Sequence, residues 1–169
     1  INAGFDPDAQ ENLYAGTSAG ASSDADTCFN IAIGYKAGCK NNSGDRNVFL
    51  GCCAGFCATT IGCSVFVGSN AGKYNASGSK NTFIGYYAGK SVSGCSISDN
   101  TFVGYYAGSQ VAAGEENTFI GVNVGSSRCD SCYNTAIGMN ALVGTQGGAN
   151  NTGGCNVAIG DEAGQYIET

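Results

Sequence analysis

The sequence predicts an all-β fold, a parallel β-solenoid or β-roll of about nine short coils, and three observations carry that prediction. A nonapeptide close to NTxIGxxAG recurs nine times at spacings near 17 residues. Each copy opens on a four-residue segment rich in β-branched and aromatic residues, the composition of a short strand. Turn residues follow each segment as Gly-x-x-Ala-Gly and often recur just before the next copy, as in Ser43-Gly44-Asp45-Arg46 and Ser77-Gly78-Ser79-Lys80. Two turns per unit close a coil.

The copies begin at Asn12, Asn30, Asn47, Ser64, Asn81, Asn100, Asn117, Asn134 and Asn156, with spacings of 18, 17, 17, 17, 19, 17, 17 and 22. Extra residues always fall between nonapeptides. The repeat domain therefore spans 12–164, preceded by a leader, 1–11, and followed by a tail, 165–169. A unit this short buries no apolar face alone, but stacked copies pair strand on strand and bury a continuous ladder. At about 4.8 Å per strand, nine coils make a rod roughly 43 Å long. An α-solenoid is disfavoured, since its repeats are longer and tolerate Gly poorly at two fixed places.

Each place in the unit has its own physical explanation. Gly at the fifth place, in all nine copies from Gly16 to Gly160, predicts a positive φ or a corner too crowded for a Cβ. Ala at the eighth place, replaced only by Val124, predicts a small inward residue. Asn at the first place, replaced only by Ser64, predicts a ladder of side-chain amides bonded between coils.

Within the strand the second and fourth places point one way and the third the other, yet both sets are apolar. A lone solenoid has one interior, so one ladder is expected to be covered by another subunit. The third-place residues Phe49, Phe66, Phe83, Phe102 and Phe119 are the candidate self-association ladder. The competing arrangement turns the fourth place inwards with the Phe ladder. Neither end of the repeat array reads as capped, which predicts head-to-tail stacking, with Ile1 to Phe5 pairing on a neighbour's edge.

Composition narrows the function classes. The chain has a net charge of −6 with seven Lys and Arg, and no basic run or basic repeat position, which argues against nucleic acid. No apolar stretch approaches the length of a membrane-spanning helix. Ten cysteines and no His favour disulfides and an oxidising, extracellular setting. Cys28, Cys39, Cys52, Cys53, Cys57, Cys63, Cys95, Cys129, Cys132 and Cys155 all lie outside the invariant framework and read as added staples. Cys39 and Cys57, and Cys132 and Cys155, fall at nearly equivalent places in successive coils. Cys129-x-x-Cys132 has a redox or zinc reading as well, although a zinc site normally wants a second pair or His. Asn41, Asn75 and Asn150 head Asn-x-Ser/Thr sequons and are glycosylation candidates.

The units NTFIGYYAG, NTAIGMNAL and NVAIGDEAG resemble the NTAIGxxAG repeats of fibre-like proteins of phages, algal and giant viruses and some bacteria. They are also similar to the SVAIGxxA units of trimeric autotransporter adhesin heads. The resemblance covers about residues 12 to 164. It implies a left-handed parallel β-roll packed as a trimer.

No catalytic constellation can be assembled without His, and neither a GxSxG elbow nor a phosphate-binding glycine loop is present. The chain is expected to be no enzyme and to need no cofactor or metal. Tyr86, Tyr87, Tyr105 and Tyr106, in the variable sixth and seventh places, are surface-binding candidates for a glycan or protein receptor, or pack laterally between rods. Thr82, Thr101, Thr118 and Thr135 align as in ice-binding solenoids, though over few coils. The expected function is a structural subunit of an extracellular fibre, with itself as partner in a homotrimer or filament. An adhesin comes second and an ice-binding solenoid third.

Overall fold

The computed structural model describes residues 8–91, 96–126, 132–143 and 154–165. Among the described residues nine three-residue strands form one parallel sheet in strict sequence order. They are β1 Leu13–Ala15, β2 Ile31–Ile33, β3 Val48–Leu50, β4 Val65–Val67, β5 Thr82–Ile84, β6 Thr101–Val103, β7 Thr118–Ile120, β8 Thr135–Ile137 and β9 Val157–Ile159. Each pairs with the next in exact register, second place on second, third on third and fourth on fourth. The architecture is the predicted β-solenoid. Coils are numbered here after their strands.

The third-place ladder forms the core, which corrects one expectation. Phe49, Phe66, Phe83, Phe102 and Phe119 have no exposed surface. Consecutive rings from Phe66 to Phe119 stack almost parallel with centroids 4.8–5.0 Å apart. Because the coil bends on both sides of a three-residue strand, the middle side chain is enclosed by its own coil, and none of this ladder is free to meet another subunit. The second and fourth places project outwards instead, with Ile33, Ile84, Ile120 and Ile137 each exposed. The fourth place therefore does not turn inwards with the Phe ladder.

The fifth-place glycines all satisfy the first part of their prediction, and those of coils 1 to 8 satisfy the second as well. They sit at φ between +123° and +141°, and a Cβ on Gly51 would lie 2.7 Å from the Gly68 carbonyl of the next coil. The ninth-place Gly has a reason of its own. At Gly125, with φ +55°, a Cβ would stand 2.5 Å from Cδ2 of the Phe119 ring, and the same conflict with a Phe ring recurs at Gly55. Coil 8 inverts the pair. There the third place is Ala136 and the ninth is Leu142, fully buried at φ +51°, so in coils 3 to 8 one large side chain fills the interior from whichever of the two places supplies it, while coils 2 and 9 carry Ala and Gly there.

The first-place Asn side chains form the predicted amide ladder, buried from Asn12 to Asn134 and half-buried at Asn156. Asn47 donates its backbone N–H (2.9 Å) and side-chain Nδ2 (3.0 Å) to Asn30 Oδ1. In the same way Asn117 donates to Asn100 Oδ1 and Asn134 to Asn117 Oδ1. Nδ2 groups also donate to backbone carbonyls in the opposite turn, as Asn30 does to Gly44 at 2.8 Å. Ser64, the one exception, retains an acceptor, since the Asn81 N–H donates to its Oγ at 3.1 Å.

Coil 1 is capped on its N-terminal side, contrary to expectation. Asp8 Oδ1 accepts the Asn12 N–H at 2.9 Å, Asp8 Oδ2 accepts from Asn12 Nδ2 at 3.2 Å, and the Asp8 N–H donates to the Asn12 carbonyl at 3.0 Å. In later coils these roles belong to the preceding coil's Asn side chain and to its first strand N–H, as Leu13 N–H serves Asn30. Asp8 thus takes, at coil 1, the place that the preceding coil's Asn holds elsewhere. The proposed pairing segment Ile1 to Phe5 lies outside the described residues.

Candidate functional site

Three surfaces carry the side chains that sequence reasoning singled out. The first is the outward face of the sheet, where the second and fourth places supply eighteen side chains, four Thr and fourteen aliphatic, none of them charged. Thr82, Thr101, Thr118 and Thr135 stand in register there, alongside Ile84, Val103, Ile120 and Ile137. Strand pairing keeps every side chain in line with its counterpart above and below.

The second surface is the corner after the strand. Tyr86 and Tyr105 stack with centroids 5.6 Å apart, Tyr87 and Tyr106 at 5.0 Å, and Tyr86 meets Tyr87 edge to face at 4.3 Å. The structure thus brings all four tyrosine candidates into one cluster across coils 5 and 6. Tyr87 and Tyr106 hold φ near +58°, an αL geometry that costs a non-Gly residue about 1–2 kcal/mol. Hydrogen bonding to Tyr87 holds the Tyr86 phenol above its ordinary pKa. Desolvation, helped by Tyr105, does the same for Tyr106. Ring faces are largely spent on one another, so the cluster offers solvent mainly edges and hydroxyls.

This corner also holds a feature that the sequence reading missed. Lys36 Nζ lies over the Tyr35 ring at 5.1 Å and the Phe56 ring at 5.8 Å, and Lys40 lies over Phe56 at 5.2 Å. Lys73 sits over Tyr74 at 5.3 Å, while Lys90 reaches Tyr87 at 4.7 Å and Tyr74 at 5.8 Å. Backbone bonds from Cys57 N–H to the Lys73 carbonyl and from Tyr74 N–H to the Lys90 carbonyl place Phe56, Lys73 and Lys90 one above the other. Separations of 4, 33 and 17 residues concealed the group in a linear reading. The signal was present in the tenth place of the repeat, just beyond the nonapeptide, where Phe56, Lys73 and Lys90 align.

The third surface is the turn before the first-place Asn, which carries Asp45, Asp99, Glu115 and Glu116 together with Arg46 and Lys80. Lys80 pairs with Asp99 at 3.5 Å across exposed surface, a contact of little energetic weight.

The cysteine and sequon expectations are corrected. Cys28, Cys39, Cys52, Cys53, Cys57, Cys63, Cys132 and Cys155 are free thiols. Cys39 lies opposite Phe56 rather than Cys57, one place out of register, because Gly38 N–H bonds the Ala54 carbonyl. Cys132 and Cys155 are backbone neighbours, with Cys155 N–H donating to the Cys132 carbonyl at 3.2 Å, but they are not bridged. The adjacent thiols of Cys52 and Cys53 come within 3.7 Å of each other. Desolvation and the Cys52 thiol push the Cys53 thiol up. Cys95 and Cys129 lie outside the described residues, and among those described no three of Cys, Asp or Glu gather as a metal site.

Asn41 and Asn75 are buried. Asn41 Oδ1 accepts the Gly44 N–H and its Nδ2 donates to the Gly44 carbonyl, both at 2.9 Å. Asn75 Oδ1 accepts from Ile97 N–H at 3.2 Å. Both amides close the far turn inside the coil, where a glycan has no room. Asn150 lies outside the described residues.

No helix among the described residues is long and apolar enough to cross a membrane. Comparison with known proteins finds no family model, curated protein or solved structure that matches this chain. A structural or fibre-like role is consistent with the β-solenoid itself.

Proposed function

We propose that the protein is a structural subunit of an extracellular fibre or appendage, assembled by lateral association of solenoid rods. One observation carries the reading, the uncharged apolar strip that runs the whole length of the sheet's outer face. At about 4.8 Å per strand and roughly 7 Å between alternate side-chain rows, the strip is about 40 Å long. Its footprint is roughly 300 Å², the size of the largest apolar patch on a typical soluble monomer, which is often functional. A flat, in-register face meets a second copy of itself without any buried charge to compensate. Lateral rather than end-on contact is favoured because Asp8 occupies the first rung of the Asn ladder.

Light scattering at micromolar concentration tests the proposal. Oligomers are expected for the native chain, and a monomer with unchanged circular dichroism for V67E/I84E, which puts two carboxylates on adjacent rungs of the strip. A monomeric native chain sinks the reading.

The four aligned threonines give a second reading on the same face, an ice-binding surface. Strong thermal hysteresis by the native chain, abolished in T101V/T118V, would move it to first place.

A further inference from the structure

The molecule is electrically divided along its length. From the fourth place of each strand through the corner that follows, coils 1 to 7 carry no acidic residue, although the chain as a whole has thirteen. Four of its seven cations, Lys36, Lys40, Lys73 and Lys90, stand in that corner on coils 2 to 5. Most of the described carboxylates lie before the first-place Asn or in the far turn. The result is a basic edge, interleaved with aromatic rings, on an otherwise acidic rod.

We propose that this edge binds an acidic polysaccharide, with a carboxylate or sulfate at each sugar or nearly so, laid along the stacking axis. Each coil advances by about one strand spacing, ~4.8 Å, close to the length of one sugar ring, so charges on the polymer come level with the lysines of coils 2, 4 and 5, while coil 3 supplies Phe56 beneath Lys36 and Lys40. The lysines are already held over aromatic rings, at 4.7–5.8 Å from their centroids, which lowers the entropy lost when they engage an anion. Hydrogen bonding to Tyr35 and its negative potential keep the Lys36 ammonium firmly protonated. Next along the edge, the exposed rims of Tyr86 and Tyr105 offer phenol hydroxyls to sugar hydroxyls. Ring faces turned towards one another suit this task better than base stacking, and the net charge of −6 opposes a dense polyphosphate. The proposal does not depend on rods associating with one another.

Affinity electrophoresis through gels containing polygalacturonate, heparin or neutral dextran provides the test, run on the native chain and on V67E/I84E. Retardation by the two anionic polymers but not by dextran is expected for both proteins, weakening as salt is raised. K36Q/K73Q is expected to lower affinity about tenfold. R46Q/K80Q, which removes the same charge from the other corner, changes it less than about twofold. Equal losses in the two doubles, equal retention by dextran, or tighter binding of a single-stranded oligodeoxynucleotide would each overturn the proposal. So would failure of both anionic polymers to bind while K36Q/K73Q alters oligomer size, which assigns the edge to the acidic corner of a second copy.

Discussion

The exchange of bulk between the third and ninth places makes a demanding test of how this core is packed. In coil 7 Phe119 fills the interior and Gly125 leaves room for it, whereas in coil 8 Ala136 and Leu142 divide the same space the other way. Phe119→Ala alone removes a fully buried ring and is expected to cost about 3–5 kcal/mol. Gly125→Leu alone drives a branched side chain into Phe119, since even a Cβ would come within 2.9 Å of Cζ. Overpacking contributes about 1–3 kcal/mol and the αL conformation about 1–2 kcal/mol more. Simple addition puts the double variant at roughly 5–10 kcal/mol. Packing by exchange predicts much less. Leu at 125 would lie directly over Leu142, because Gly125 N–H bonds the Ala141 carbonyl. What remains is the αL term and the lost stack on Phe102, 4.9 Å away, together about 1.5–3.5 kcal/mol. Urea unfolding followed by circular dichroism, on all four members of the cycle, gives the coupling energy. A double variant as unstable as the sum of the singles would refute the exchange.

Other outcomes follow from the ladders and the corner. Asn100→Ala removes the acceptor of both Asn117 donors and the bond to Gly114; it should cost about 2–4 kcal/mol in urea unfolding, and Asn100→Ser distinctly less, since Ser64 already serves as a rung. Asp8→Ala should raise amide hydrogen exchange in coil 1 while leaving coils 4 to 7 protected; loss of protection throughout would show that the cap holds the whole rod. Tyr14, Tyr86 and Tyr106 have pKa values raised above 10.0. Their contribution to stability is therefore complete below pH 10 and is lost as pH rises through the raised folded values. Thermal scans should show a fall in Tm on that alkaline side, and Tyr86→Phe should make the fall shallower.

Most of the architecture was legible in the sequence because each coil repeats the same few constraints. Gly16 through Gly160 marked the corner, the first-place Asn marked the ladder, and their spacing set strand order and register. The direction of the Phe ladder was not legible, since alternation along a strand gives two faces without saying which is inside. Exclusion of Cβ at the ninth place decides it, and the Ala136 and Leu142 pair was its signature in the sequence. Thiol geometry escaped for a different reason, a single-place offset between Cys39 and Cys57. Asn41 and Asn75 matched a glycosylation pattern but serve the far turn, and a sequon does not reveal burial. Lys36, Lys40, Lys73 and Lys90 formed no basic run because a coil separates what it later superposes.

The Asn ladder also has a direction in time. Each rung's side-chain oxygen, Oδ1 of Asn or Oγ of Ser64, receives the N–H of the following copy, and the first rung is closed by Asp8, only four residues ahead of Asn12. A chain emerging from the ribosome with its N-terminus first completes that cap before the second copy exists. Every later copy then meets an acceptor already in place, and strands pair only with their neighbours in sequence. Such a rod can wind as it is made, one repeat at a time, with little unpaired chain exposed at any stage.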